Sequence, residues 1–463
     1  MSRLDAQTLA TVADRGVARP AYDRAEREVG IVHFGLGAFT RAHQAWYTDE
    51  AMAAAAKSGQ RADWFITGVS MRSPEAGDQL NPQDGLYTLA ERSAEGTRLR
   101  VIGSVAEVLL ASTSRDDIIA RLAAPATHVV TFTVTEKGYC RSPDGGLDLS
   151  LAQQGFYPLL AEALGQRHKA GLHGLTMLSC DNLAENGRQL QRLMREYLAA
   201  RRPDLLAWVD ATCAFPNSMV DRIVPATSEA DRAQVAGMLG LRDEGVVLTE
   251  TFSQWVIEDA FAGPRPAWDM AGAQIVADVA PYEMAKLRML NGAHSALAYC
   301  GLAKGHTFVH EAIADPVLRA LVQSLMRDEA APTIDAPPGL DLAAYAEALV
   351  SRFENPALNH RLLQIAMDGS QKITQRWLAT LAAHQAARRT CPAILTGIAG
   401  WIRHLRGANG PVDDPQAAAL TAAAQLPDVA LTLDALFGAD GLVPSSWIPT
   451  HGDRAAIRAE LER

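Results

Sequence analysis

Residues 30–41 read Gly30-Ile31-Val32-His33-Phe34-Gly35-Leu36-Gly37-Ala38-Phe39-Thr40-Arg41. The first five form an apolar run of strand length, and the alanine-rich stretch 42–56 has the composition of a helix. Strand, glycine turn and helix, in that order, is the context in which a dinucleotide fingerprint has physical meaning. Gly35 permits the tight turn, and Gly37 lets the backbone approach a pyrophosphate at the start of the helix. Leu36, Ala38 and Phe39 complete the loop. Thr40 stands where the third glycine of G-x-G-x-x-G is expected. The motif is therefore partial, and a plain strand-to-helix turn describes it equally well.

The following segments repeat the pattern. Residues 64–70 read as a second strand, after which an acid is expected to bond the adenosine ribose. Glu75 is the candidate and Asp78 competes; an acid there favours NAD, whereas Arg72 argues for NADP. Residues 99–108 and 128–135 read as further strands, the second emptying into Glu136-Lys137-Gly138-Tyr139. Residues 174–179 read as another, ending at Cys180-Asp181-Asn182. Polar groups at the C-terminal ends of buried parallel strands are where α/β proteins place their sites. Glu136 is thus a candidate on the cofactor side, or simply part of a glycine turn. Asn182 is a candidate oxyanion donor, although Asp181 or Asn182 could equally cap a helix at 183–198. Asp221 and Arg222 either pair with each other or face a substrate. Residues 246–255 and 274–279 read as late strands.

The texture changes at Pro281, beyond which the chain is largely helical by pattern. The expected division is 1–280, a nucleotide-binding α/β domain, and 281–463, a mostly α-helical domain. The second part opens on Tyr282-Glu283-Met284-Ala285-Lys286-Leu287-Arg288-Met289-Leu290-Asn291-Gly292-Ala293-His294, which reads as a helix. At ~100° per residue, Asn291 lies about 140° and His294 about 80° from Lys286. That spread is loose for one site, and a bend at Asn291-Gly292 would tighten it. A lysine among Ala285, Leu287 and Leu290 can serve as a general base near neutral pH once desolvated. An amide and an imidazole can hold an alkoxide. An amphipathic helix with an exposed lysine and a satisfied core histidine fits the same spacing. Glu283 faces the same way as Lys286. Lys372, in the polar insert 368–372, either contacts substrate or caps a helix. His306 and His310 have metal-ligand spacing on a helix, with Glu311 adjacent, and would serve a metal-dependent lyase or hydrolase. The H-E-x-x-H pattern is absent, so the expectation is no metal.

A net charge of −10 disfavours binding to phosphate backbones. No apolar run reaches the length of a membrane span, and Met1-Ser2-Arg3-Leu4-Asp5 lacks an apolar signal core. The expectations are a cytoplasmic protein, neither nucleic acid nor membrane as partner, and a monomer or small homo-oligomer acting on a small molecule. The five cysteines are scattered, forming neither a disulfide framework nor a metal knuckle.

Six stretches together carry a resemblance: 33–44, Thr135-Glu136-Lys137-Gly138-Tyr139, Ser179-Cys180-Asp181-Asn182, Met219-Val220-Asp221-Arg222, Trp255-Val256-Ile257-Glu258-Asp259, and 286–294. In this order they resemble the polyol-specific long-chain dehydrogenases, the mannitol dehydrogenase family, whose catalytic signature Lys-x4-Asn-x2-His is matched by Lys286, Asn291 and His294. The resemblance implies a Rossmann-type N-terminal domain, a mostly α-helical C-terminal domain, and a zinc-independent, NAD- or NADP-dependent oxidoreductase of secondary alcohols. It implies Lys286 as general acid/base, Asn182 and Asn291 as the oxyanion hole, and His294 as a substrate-orienting group. Asp221 and Lys372 would line the polyol pocket, and Glu283, on the substrate side, would gate it or relay protons. Two positions depart from it. Many relatives have histidine at Thr40, and mannitol-type members have arginine where Gln364 aligns. Residues 136–139, 222–225 and 364–372 look more like the fructuronate reductases, implying D-fructuronate to D-mannonate. Residues 308–311 look more like the enzymes of D-mannitol and D-fructose, and D-arabinitol is a further alternative.

Overall fold

The computed structural model describes residues 1–25, 28–61, 63–462. The chain divides into two compact units, Met1–Val279 and Ala280–Arg463. Among the described residues of the first unit, eleven strands form three sheets. The strands are β1 (Val29–Phe34), β2 (Phe65–Ser70), β3 (Tyr87–Ser93), β4 (Gly96–Ile102), β5 (Val105–Leu110), β6 (Val129–Phe132), β7 (Thr176–Ser179), β8 (Ser218–Asp221), β9 (Val247–Glu250), β10 (Gln254–Glu258) and β11 (Gln274–Val276). The main sheet is parallel throughout, in the order β5-β2-β1-β6-β7. Its central strands are apolar on both faces because both are covered. Val32, Phe34, Val130 and Phe132 pack into one core with helices on their side. Ile31, Ile66, Val129 and Leu178 pack into another with Trp255 and Trp268. The strand order reverses between β1 and β6, which makes their C-terminal ends the switch point where such sheets bind ligands.

Two segments expected to be single strands are each divided between sheets. The stretch 99–108 is β4 and β5, which pair with β3 and β2 respectively. The change of sheet falls at Gly103-Ser104. The Gly103 amide donates to Asp49 Oδ1 at 2.8 Å and the Ser104 hydroxyl to the Ala45 carbonyl at 2.7 Å, so the helix Gln44–Lys57 pins the corner. The stretch 246–255 is β9, paired with β3, and β10, paired with β8 and β11. The Glu250 carbonyl that ends β9 accepts from the buried Arg222 guanidinium. The helix expected over 42–56 is interrupted as well. Ala38–Ala42 and Gln44–Lys57 meet at His43, whose Nε2 bonds the Gln254 carbonyl at 2.9 Å and whose ring stacks on Phe39.

The second unit is helical around one continuous apolar core. Three of its helical rods contain π-helical turns, among the described residues: Lys286–Asn291, Leu325–Ala330 and Thr374–Leu378. A π turn closes i→i+5, is rare, and occurs frequently at functional sites. No helix among the described residues is long and apolar enough to cross a membrane.

Candidate functional site

The glycine turn after β1 has the conformation its residues demand. Gly35 has φ +91°, and a Cβ there would lie 2.1 Å from the Thr133 carbonyl oxygen. Its amide extends the ladder to Val69 of β2. Leu36 is buried and covers Gly68 of β2, where an added Cβ would fall 2.6 Å from Leu36 Cδ2. Leu36 is therefore a packing residue, and any ligand contact from it must come from the backbone. Gly37 precedes the helix Ala38–Ala42. A Cβ on Gly37 would meet nothing nearer than the Gly35 carbonyl at 3.8 Å, so this face of the turn is bare backbone. The first amides of the helix, from Ala38, Phe39 and Thr40, have no intrahelical acceptor. Bare glycine backbone ahead of free helix amides fits a pyrophosphate.

Thr40 replaces the third glycine by hydrogen bonding where a glycine would pack. Its hydroxyl lies 2.8 Å from His33 Nε2 and 2.6 Å from Thr133 Oγ1. His33 Nδ1 lies 2.7 Å from Thr131 Oγ1, and the Thr133 hydroxyl donates to the Gly35 carbonyl at 2.8 Å. Burial pushes the His33 pKa down to about 3, so the imidazole is neutral. This network joins β1, β6 and the turn, and the sequence alone did not disclose it. The signal available was an unlikely histidine in an apolar strand, two residues before the first glycine.

At the other strand ends, Glu75 is exposed at the start of the helix Glu75–Leu80, where its carboxylate accepts from Gln79. Asp78 is exposed on the same helix. Glu136 is exposed in the single turn Thr135–Gly138, directly beyond β6. Asn182 is exposed beyond β7, and Asp221 is buried at the end of β8. Arg222 does not face a substrate. It donates to Glu91 at 2.7 Å and to the carbonyls of Ala42 and Glu250, and stacks over Trp46. The helix expected from 183 begins at Asn186, with no capping side chain from Asp181 or Asn182. The Asp181 carboxylate is turned the other way, onto the amides of Val134 and Thr135.

In the second unit one rod carries four candidates. It runs Ala280–Ala285 as α-helix, Lys286–Asn291 as π-helix and Gly292–Ala303 as α-helix. The straight-helix separation of about 140° between Lys286 and Asn291 does not apply, because an i→i+5 ladder sets residue i+5 one turn above residue i. Asn291 therefore stands over Lys286, and His294 follows three residues on along the same stripe. The tightening comes from the π turn ahead of Gly292, with no bend needed. Lys286 is 9% exposed and His294 8%, so the exposed-lysine alternative is excluded. Glu283 is half-buried one turn earlier. The His294 ring lies against Phe353 and edge-on to His360, and burial holds its pKa well below the ordinary value. Its Nε2 is buried with no hydrogen-bond partner among the described residues. Such an atom has a role open to a ligand hydroxyl.

The π turn is held by the segment Thr374–Leu378. Arg376 donates to the Asn291 carbonyl at 3.3 Å and the Ser295 hydroxyl at 2.8 Å, and the Trp377 indole donates to the Gly292 carbonyl at 3.1 Å. Arg376 and Trp377 were not foreseen. Lys372 lies on the helix Gly369–Ile373, and its ammonium donates to the Met367 carbonyl at 2.5 Å, beyond the end of the helix Leu362–Ala366. That is the capping alternative, with burial lowering the amine's pKa. The metal spacing fails on geometry. His306 precedes the helix Val309–Ala314 that carries His310, and the Glu311 carboxylate is taken by the amides of Thr307 and Phe308.

Residues 29–270 match the mannitol dehydrogenase Rossmann domain, and residues 278–440 the mannitol dehydrogenase C-terminal domain. The chain belongs to the mannitol dehydrogenase family. It is 42% identical to the D-mannonate oxidoreductase of Escherichia coli (strain K12), over 86% of this chain and 85% of that one. It is 39% identical to the mannitol 2-dehydrogenase of Phaeosphaeria nodorum, over 92% and 78%. Among solved structures, the Pseudomonas fluorescens mannitol 2-dehydrogenase in ternary complex with NAD and D-mannitol is 36% identical. It matches with a TM-score of 0.82 over 99% of this chain and 96% of that one. A substrate-free D-sorbitol dehydrogenase is 30% identical, with a TM-score of 0.90 over the same shares. This member of the mannitol dehydrogenase family is accordingly an oxidoreductase, a dehydrogenase that uses a nicotinamide cofactor. Its first unit is the Rossmann-type domain and its second the helix-rich one.

Proposed function

We propose that this enzyme interconverts D-fructuronate and D-mannonate with NAD. The observation that carries the substrate is the 42% identity to a D-mannonate oxidoreductase over most of both chains. Gln364, exposed here, agrees with it on the resemblance described above, which implies arginine at that position in mannitol-type members. The alternative is D-mannitol and D-fructose, favoured by the fold match to a mannitol 2-dehydrogenase bound to D-mannitol. NAD is preferred over NADP because an acid, Glu75, follows β2 and because that neighbour holds NAD.

The glycine turn from Gly35 to Phe39 would hold the pyrophosphate, with Glu75 toward the ribose and Glu136 on the nicotinamide side. The nicotinamide, when bound, supplies the hydride acceptor. In the oxidative direction Lys286 takes the proton from the reacting hydroxyl, a task for which burial suits an amine. The side-chain amides of Asn182 and Asn291 donate to the oxygen as it becomes an alkoxide. His294, neutral, offers Nε2 to a neighbouring hydroxyl and so orients the sugar chain. Asp221 and Glu283 accept from further hydroxyls, and Lys372, whose ammonium keeps donors beyond the one given to Met367, is the cation available to a carboxylate. Charge stabilisation by fixed amides is worth ~10²–10³ in turnover per donor.

The test is a spectrophotometric screen of purified enzyme against fructuronate, tagaturonate, fructose, mannitol and arabinitol with NAD(H) and NADP(H). The largest kcat/KM is expected for fructuronate with NADH. A larger value for fructose would transfer the reading to mannitol, and no turnover with any of the five would sink both.

A further inference from the structure

The backbone at Thr135 is out of place for its side chain. Thr135 has φ +64°, a left-handed conformation that is a genuine outlier for a β-branched residue. It persists only where its surroundings impose it, and such residues cluster at functional sites. Here the surroundings are one carboxylate. Asp181 accepts from the Thr135 amide at 2.9 Å through Oδ1, and from the Val134 amide at 3.0 Å through Oδ2. The hydroxyl of fully buried Tyr139 donates to the same Oδ2 at 2.8 Å and lies 2.6 Å from Ser179 Oγ. Burial raises the Tyr139 pKa, so its proton stays in place as a donor. Tyr139 is itself anchored, since its carbonyl accepts from Tyr157 at 2.9 Å. The Asp181 carbonyl, in turn, accepts from Asn186 at 3.0 Å.

These bonds tie together the two strand ends that carry candidate site residues. Thr135 leads directly into Glu136 beyond β6, and Asp181 leads directly into Asn182 beyond β7. An ordinary helix cap does not explain the arrangement, because the turn Thr135–Gly138 is a single turn that any local acceptor could start. A clamp that holds a strained residue does explain it. We propose that Asp181 is a positioning residue of this active site. Its carboxylate locks Thr135 in left-handed backbone and so fixes the ends of β6 and β7, setting where Glu136 and Asn182 stand. The inference rests on the reading of Asn182 as an oxyanion donor.

The test exploits glycine, which adopts positive φ without steric cost. Turnover is measured for Asp181→Ala, Thr135→Gly and the double variant, with cofactor binding and amide exchange of 134 and 135 read alongside. Asp181→Ala is expected to lower kcat at least tenfold in the wild-type background and no more than threefold in the Thr135→Gly background. Equal losses in the two backgrounds, or no loss, would overturn the clamp. Asp181→Asn, of the same size, guards against misfolding. It keeps one acceptor oxygen but turns an NH2 toward a donor, so faster exchange at Val134 and a lower kcat are expected, and unchanged values of both refute the proposal. The exchange readout does not depend on catalysis. A wild type inactive on every candidate sugar would refute the function itself, whereas an active wild type indifferent to Asp181→Asn refutes the clamp alone.

Discussion

The Nε2 of His33 lies 2.9 Å from the hydroxyl of Thr133, and that hydroxyl donates its proton to Gly35. A buried imidazole thus stands directly behind the turn that would carry the pyrophosphate. Its position between three threonine hydroxyls satisfies it as a neutral ring, while desolvation opposes its protonation.

A pH dependence follows, and its sign is fixed by the direction of the shift. The His33 pKa is about 3 in the folded protein against 6.5 for the free group. Between those values the unfolded chain binds a proton that the folded chain does not. Stability is therefore complete above pH 6.5 and falls as pH drops toward 3, by about 1.4 kcal/mol per pH unit for one such group. His294 acts in the same direction. The replacement His33→Gln is expected to flatten the slope of unfolding free energy against pH between 6 and 4 by close to one proton. Urea titrations across that range would show it, and an unchanged slope would remove His33 from the account.

The two glycines of the turn should separate folding from binding. At Gly35 a methyl would drive into the Thr133 carbonyl from a φ that only glycine takes easily, so Gly35→Ala should be poorly folded. At Gly37 the backbone is extended, with φ −96°, and the space is open. Gly37→Ala should therefore melt close to wild type while losing about tenfold or more in NADH affinity, since about 1.4 kcal/mol suffices for that. Fluorescence titration of NADH and a thermal melt on the same samples decide it. Unimpaired NADH binding in Gly37→Ala would mean that the cofactor does not approach this face.

Local pattern and long-range pairing account for what could be read from the sequence and what could not. β1, the glycine turn and the change of texture near 280 are contiguous signals, and so was the spacing of Lys286, Asn291 and His294. The π turn was invisible, because nothing in 286–291 departs from good helix composition. The side chains that bond its end, Arg376 and Trp377, lie about 85 residues on. The corner at Gly103-Ser104 is set by Asp49 and Ala45, partners that no local window contains. From sequence alone Asp181 is a candidate helix cap, because capping needs only neighbours in the chain. Its actual partners, the Val134 and Thr135 amides, come from the neighbouring strand end.

Lys286 carries the proposed chemistry, and its removal is the plainest test. Lys286→Ala is expected to lower turnover by ~10²–10⁴ while NADH binding, proposed above for the first unit's turn, stays intact. Activity of the wild type should survive exhaustive chelation. Near-normal turnover of Lys286→Ala would refute the assignment, and loss of activity on chelation would revive a metal.

The π turn gives a last prediction, because its register is what stacks Asn291 over Lys286. Reverting to an α-helical register would carry Asn291 about 140° around the rod from the lysine. The indole of Trp377 donates to Gly292, the first residue after the turn, from a site where the ring is fully buried. The replacement Trp377→Phe removes that donor and preserves most of the ring's bulk. The cost in stability should be about 1 kcal/mol, the usual worth of one hydrogen bond. If the bond also holds the register, kcat should fall by a larger factor than stability loss alone produces in a still-folded enzyme, with NADH affinity unchanged. A lowered melting temperature with wild-type kcat at 25 °C would show that the turn keeps its register without Trp377. Arg376, bonded to the Asn291 carbonyl, would then be the residue left to hold it.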